Sequence, residues 1–306
     1  MPGPLILLLA SGLSLPDLTA AAAQSPRPAA CQGVSGSGLA VWEAARRPAM
    51  IGHCRWLARG YAELSRAPAR ALLAAERAER ALPGQVAPLV LAGRALSALG
   101  KHGEAHTRFA AALGRDKNSL EEPAALLAHA QSAERAGKQS AATAAYRALV
   151  PRIALLETPW HRQLAAVEAG FSAMDAGELP KAVGVLTEAR RRETVPGISD
   201  LVAAALALAL DRQGRSEEAR GVAQEVASVE TIRDLAGAKP GSEGEFAPVL
   251  AQGQLWACVG LLEANQDRAA AREAWMHFLK SSAGSGRYRA HAQAQLDKLA
   301  GVKRSR

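Results

Sequence analysis

Small and apolar residues return along this chain with a helical period, in blocks broken by single glycines. A small residue, a turn glycine and a second small residue stand at fixed offsets through most of its length. The clearest copy occupies residues 86–117, where Leu89, Ala92, Gly93 and Leu96 precede a turn at Gly100, and Ala105, Phe109 and Ala112 follow it. A second copy has Ala130, Gly137, Ala142, Tyr146 and Leu149, and a third has Gly170, Gly177, Ala182, Leu186 and Ala189. A fourth keeps Ala207, Gly214, Ala219 and Val226 but places Ala223 where the others have a large side chain; a fifth has Val259, Gln266, Ala271, Trp275 and Phe278. Each copy predicts two antiparallel helices joined by a tight turn. Residues 56–64 and 67–81 predict a degenerate hairpin ahead of them, with Pro68 near the start of its second helix. Residues 287–299 predict a closing helix whose Arg289, Gln293, Gln295 and Lys298 suit an end left in water.

Each recurring residue type has a separate physical reason. Gly93 lets the first helix touch its neighbour, Gly100 ends that helix in a left-handed cap, Ala105 sits where the two helices cross, and Phe109 fills the space between repeats. This arrangement resembles the tetratricopeptide repeat, from which it departs at Leu96, where an aromatic is usual, and at Lys117, where proline is usual. The turn-to-turn intervals from Gly100 through Gly137 and Gly177 to Gly214 are 37, 40 and 37 residues, longer than the family's unit of about 34. The interval from Gly214 to Gln266 is 52, and the excess is expected in a loop at residues 237–245.

The resemblance implies an all-α, right-handed α-solenoid of about five to six TPR-like hairpins with a C-terminal capping helix. In that family the first helices line a concave groove for partner segments. By analogy the groove falls at Val90, Arg94, Leu127, Gln131, Val167, Phe171, Leu208 and Trp256, with Glu134, Arg135, Met174, Asp175, Asp211 and Arg212 nearby.

Composition agrees with helices. Nearly half of the 306 residues (49%) are hydrophobic but only 4% are aromatic, and Ala and Leu dominate, which disfavours a sandwich or barrel. Residues 5–15 are apolar and lead to Ala21, Ala22 and Ala23, as in a secretory signal peptide. The expected organisation is a signal at 1–23, a linker at 24–48, the repeat domain at 49–300 and a basic tail at 301–306, in a periplasmic or secreted protein. Residues 201–210 are strongly apolar yet too few to span a bilayer, and read as a buried core helix. An oxidising compartment makes Cys31 and Cys54 a candidate disulfide and leaves Cys258 as a small buried hydrophobe. The alternative for Cys31, after Pro28, Ala29 and Ala30, is a lipid anchor, the one expected link to a membrane.

The net charge of +8 and pI of about 9.8 change little, because the basic residues are scattered among acidic ones and mark no nucleic-acid face. Catalytic and metal motifs are weak. His102 and His106 straddle the expected turn without an evident third ligand, His53 beside Cys54 points elsewhere on a helix, and Gly33, Gly36 and Gly38 lack the strand and Lys-Ser or Lys-Thr of a phosphate loop. No cofactor is implied. The expected function is a non-catalytic scaffold of the cell envelope that binds a protein or peptide segment. The alternative is an enzyme, or an accessory, of cell-wall or polyanion processing that uses Glu121, Glu122 or Glu178.

Overall fold

A computed structural model describes Cys31 and residues 48–192, 195–238, 252–281, 283 and 286–301. The expected signal, nearly all of the expected linker, residues 239–245 of the expected loop and residues 302–306 of the basic tail lie outside the described residues. Fourteen α-helices and one long 3₁₀ segment account for most of what is described, with no strand among these residues. The chain divides into two compact units, Met1–Gln85 and Val86–Arg306.

The described helices of the first unit form one hairpin, α1 (Pro48–Glu63) and α2 (Pro68–Ala81). Its interior is thin because α2 contributes only alanines, Ala71, Ala74, Ala75 and Ala78, against Leu57 and Gly60. His53 compensates: its Nδ1 lies 2.9 Å from the carbonyl oxygen of Ala78, tying the two helices by a buried hydrogen bond. Trp56 lies beneath the guanidinium of Arg77, 4.6 Å from the ring centre. Cys31 and Cys54 form the expected disulfide. It engages the thiol that a lipid anchor at Cys31 would need.

The second unit stacks five hairpins: α3 (Ala87–Ala98) with α4 (His102–Arg115), α5 (Pro123–Arg135) with α6 (Gln139–Leu149), α7 (Pro159–Asp175) with α8 (Leu179–Arg192), α9 (Ile198–Arg212) with α10 (Ser216–Ala223), and α12 (Gln252–Glu263) with α13 (Arg268–Lys280). First helices also pack on one another, α3 on α5, α7 on α9 and α9 on α12, and α14 (Arg289–Leu299) closes the array against α13. This is the expected all-α solenoid of TPR-like hairpins. Residues 201–210, inside α9, are wholly buried, and no described helix is long and apolar enough to cross a membrane.

Four turns use one device. Gly100, Gly137, Gly177 and Gly214 all have φ between 70° and 83°. Each glycine N–H bonds the carbonyl three residues back, and the next N–H bonds the carbonyl five back, as in Lys101 to Leu96 at 2.9 Å and Lys138 to Ala133 at 2.8 Å. This pair of bonds satisfies carbonyls that the helix end leaves open. The fifth turn lacks glycine at Gln266 and is fixed from the other side, where the Asp267 carboxylate caps α13 by accepting from the N–H groups of Ala269 and Ala270.

The offset of sixteen residues between small and large partners is a steric necessity. A Cβ on Gly93 would come within 2.8 Å of the Phe109 ring, and one on Gly170 within 2.9 Å of Leu186. In the fifth hairpin the close approach is at Gly260 against Trp275, one residue from the expected Val259. Ala105, Ala112, Ala130, Ala142, Tyr146, Ala182, Ala219 and Ala271 are buried at the packing positions assigned to them.

One helix was absent from the sequence reading. α11 (Val229–Gly237) lies in the long 214–266 interval and ends where the expected 237–245 loop begins. Ser228 caps it, Ile232 and Ala236 are its buried residues, and Asp200 accepts from the N–H groups of Ala227 and Ser228 at 3.0 and 3.1 Å.

Candidate functional site

The polar groups that matter lie on the first helices of the Val86–Arg306 unit or bond to them. Arg94 on α3 donates to the carboxylate of Glu122, which precedes α5, at 2.7 Å. Gln131 on α5 reaches Glu168 on α7 at 3.0 Å. The Tyr146 hydroxyl, on α6, donates to Glu134 at 2.9 Å and lies 3.4 Å from Glu168. Further along, Arg212 on α9 donates to Gln254 on α12 at 2.7 Å, while the Gln254 amide donates to Asp175 on α7. Asp211 receives His291 at 2.7 Å and Gln295 at 2.8 Å, both from α14. Side chains from α3, α5, α7, α9, α12 and α14 thus form successive polar bridges between neighbouring helices.

Burial gives this seam unusual acids. Glu168 is only 2% exposed, and burial, with the neighbouring Glu134 charge, raises its carboxyl to about 8. Burial likewise raises Glu134 to about 7 against the opposing effect of the Tyr146 hydrogen bond. Asp175 is raised to about 6 by burial, although the Arg212 charge acts the other way. Arg212 is lowered to about 10 by burial, so it stays cationic at neutral pH, with the Tyr288 ring 3.9 Å from its guanidinium carbon. Its Nε and Nη2 are buried without a hydrogen-bond partner. Burial pushes Asp211 up, but the hydrogen bond and charge of His291, aided by Lys298, hold it below the ordinary carboxylate range.

The expected groove residues divide sharply. Val90, Leu127, Val167, Phe171 and Leu208 are buried, so they pack the array and do not line an open surface. The reason is that first helices pack both on their own second helices and on one another, which consumes these apolar faces. Trp256 is partly buried and stacks on His277, 4.5 Å between ring centres. Arg94 and Gln131 do belong to the seam. So do Glu134, Asp175, Asp211 and Arg212 from the neighbouring set; Met174 is buried beside Arg212, and Arg135 lies exposed on α5, donating to His102 at 3.0 Å. The residues that sequence reasoning missed are Glu168, Gln254, Tyr288 and His291. Glu168 and Gln254 had one visible signal, a polar group inside an otherwise apolar stretch.

Both His102 and His106 lie on α4, which begins at His102, so they do not straddle the turn. His129 joins them from α5, its ring stacked on His106 at 5.6 Å. Among the described residues no group of three or more His, Cys, Asp or Glu side chains is placed to hold a metal ion. The acids proposed for catalysis are engaged in ion pairs or face water: Glu122 pairs with Arg94, Glu121 is exposed, and Glu178 is held below its ordinary range by Lys181 and Arg147.

No protein-family model matches the chain, and no curated protein does. Among solved structures it is similar to a tetratricopeptide repeat protein from Parabacteroides merdae ATCC 43184, at a TM-score of 0.43 and 16% identity, over 81% of this chain and 98% of that one. It is also similar to the APC/C hetero-tetramer Cut9-Hcn1, at 0.41 and 13%, over 84% of this chain and 44% of that one, so it spans less than half of that structure's length. By its own turns and packing, the Val86–Arg306 unit is a stack of TPR-like helical hairpins.

Proposed function

We propose that this chain is a non-catalytic scaffold of the cell envelope that binds a segment of a partner protein along the polar seam of its first helices. The observation that carries this reading is the run of carboxylates and guanidiniums, from Arg94 and Glu122 to Asp211, spread over consecutive repeats. A repeat protein binds extended ligands by adding contacts repeat by repeat, and charged groups set in a row supply register and specificity. With the large apolar residues buried, recognition rests on hydrogen bonds and charge. The Cys31–Cys54 bridge supports export, since disulfides persist in oxidising compartments.

The test is recovery of a partner from an envelope extract on the immobilised full chain, followed by its affinity for Arg94→Glu combined with Arg135→Glu. The reading expects a defined partner whose binding falls at least about tenfold in the double variant, as loss of charged hydrogen bonds requires, with helicity retained. Unchanged binding in that variant rejects the seam as the contact surface.

A further inference from the structure

The step from the second to the third hairpin of the Val86–Arg306 unit, Gly137 to Gly177, is three residues longer than the steps beside it, and the link carries the 3₁₀ segment Val150–Leu155. Pro151 cannot donate the N–H that would continue α6. The segment leaves its own apolar side chains in water, with Val150 40% and Leu155 73% exposed. Behind it, against α7 and α8, is a cavity of about 260 Å³. Ile153, Ala154, Ala166, Val185 and Ala189 supply apolar wall.

Three charged side chains also line it, Arg162, Arg192 and Glu188, so guanidiniums outnumber carboxylates two to one. Arg192 and Glu188 pair at 2.6 Å and are each about half exposed, which marks the solvent side. Arg162 is fixed by donating to the carbonyl oxygens of Leu156 at 2.7 Å and Glu157 at 3.4 Å. An enclosed dry cavity of about 150 Å³ admits benzene; this one, about 260 Å³ and open to solvent on one side, has volume for a longer aliphatic chain. Binding sites for small molecules combine such walls with a few polar groups that fix one end.

We infer that this cavity is a binding site for a small aliphatic carboxylate, its chain against Ile153, Val185 and Ala189 and its head toward Arg162 and Arg192. Gly184 offers a way to obstruct it. It lines the cavity on α8 and is exposed, and a Cβ there would meet nothing within 4 Å, so the position accepts a side chain at the cavity wall.

The experiment is calorimetric titration of the full chain with sodium decanoate below its micellar concentration, beside decan-1-ol and decyltrimethylammonium. Saturable one-to-one binding of decanoate is expected, about tenfold weaker for the alcohol and undetectable for the cation. Gly184→Leu should abolish it at an undiminished thermal midpoint. Arg162→Gln, or Arg192→Gln should the first variant lose helicity, should reduce decanoate to the level of the alcohol. Absence of saturable binding, or full binding to Gly184→Leu, overturns the site, and equal affinity for decanoate and decan-1-ol overturns the assignment of its head group.

Discussion

Single glycines in this chain do opposite things according to what stands over them. At Gly93 the Phe109 ring occupies the space of a Cβ, whereas at Gly184 that space is open. Gly93→Ala should therefore destabilise the protein by about 1–3 kcal/mol through overpacking, despite the better helix propensity of alanine. Gly184→Ala should stabilise it by roughly 0.5–1 kcal/mol. Urea denaturation of the two variants reads both signs.

The buried acids give a second prediction at this scale. Glu134 and Glu168 hold protons more tightly in the folded chain than in the unfolded one, so their stabilising contribution is complete below about 4.5 and is lost as pH rises through about 7 and 8. His129 has the opposite sign: burial lowers it to about 4, so its contribution is present above its unfolded value of 6.5 and lost as pH falls through about 4. The difference in urea midpoint between wild type and Glu168→Gln should move in favour of the variant from pH 5 to pH 8.5. A difference that stays flat over that range would show that Glu168 ionises normally.

Among elements, the hairpins were legible because their turns and contacts are local. A glycine seven residues after a small residue, with a large side chain sixteen residues on, is a pattern the chain carries in one dimension, and Gly100, Gly137 and Gly177 take the backbone conformation it implies. α11 was not legible: it is short, and its place depends on Asp200, far away in sequence, holding the N–H groups before it. The fifth hairpin shows the limit of the pattern, since Asp267 replaces glycine as the device that fixes the turn. Asp267→Ala should cost about 1 kcal/mol and speed hydrogen exchange in the first turn of α13, leaving the α3–α4 turn unchanged. Equal protection in variant and wild type would mean that the cap is redundant.

On the scale of the Val86–Arg306 unit, the seam was only half visible in advance. All the expected groove residues lie on first helices, but only Arg94 and Gln131 among them enter the seam, while Val90, Leu127, Val167, Phe171 and Leu208 went into the interior. Which face of a helix stays open depends on how it packs against the next repeat, and that is not encoded in the spacing within one repeat. Charged residues beside the expected positions, Glu134, Asp175 and Arg212, also went inward, each against a polar partner, Tyr146 for Glu134 and Gln254 for the other two.

The proposed scaffold reading assigns partner binding to the first helices, with their row of polar bridges, and not to the second ones. Site-specific photo-crosslinking measures this most directly. A photoreactive residue is placed at Glu122 or Arg135 beside the seam, or at Glu104 on α4 or Arg220 on α10. The scaffold reading predicts one defined adduct from the first pair and none from the second; adducts from Glu104 or Arg220 alone would contradict it.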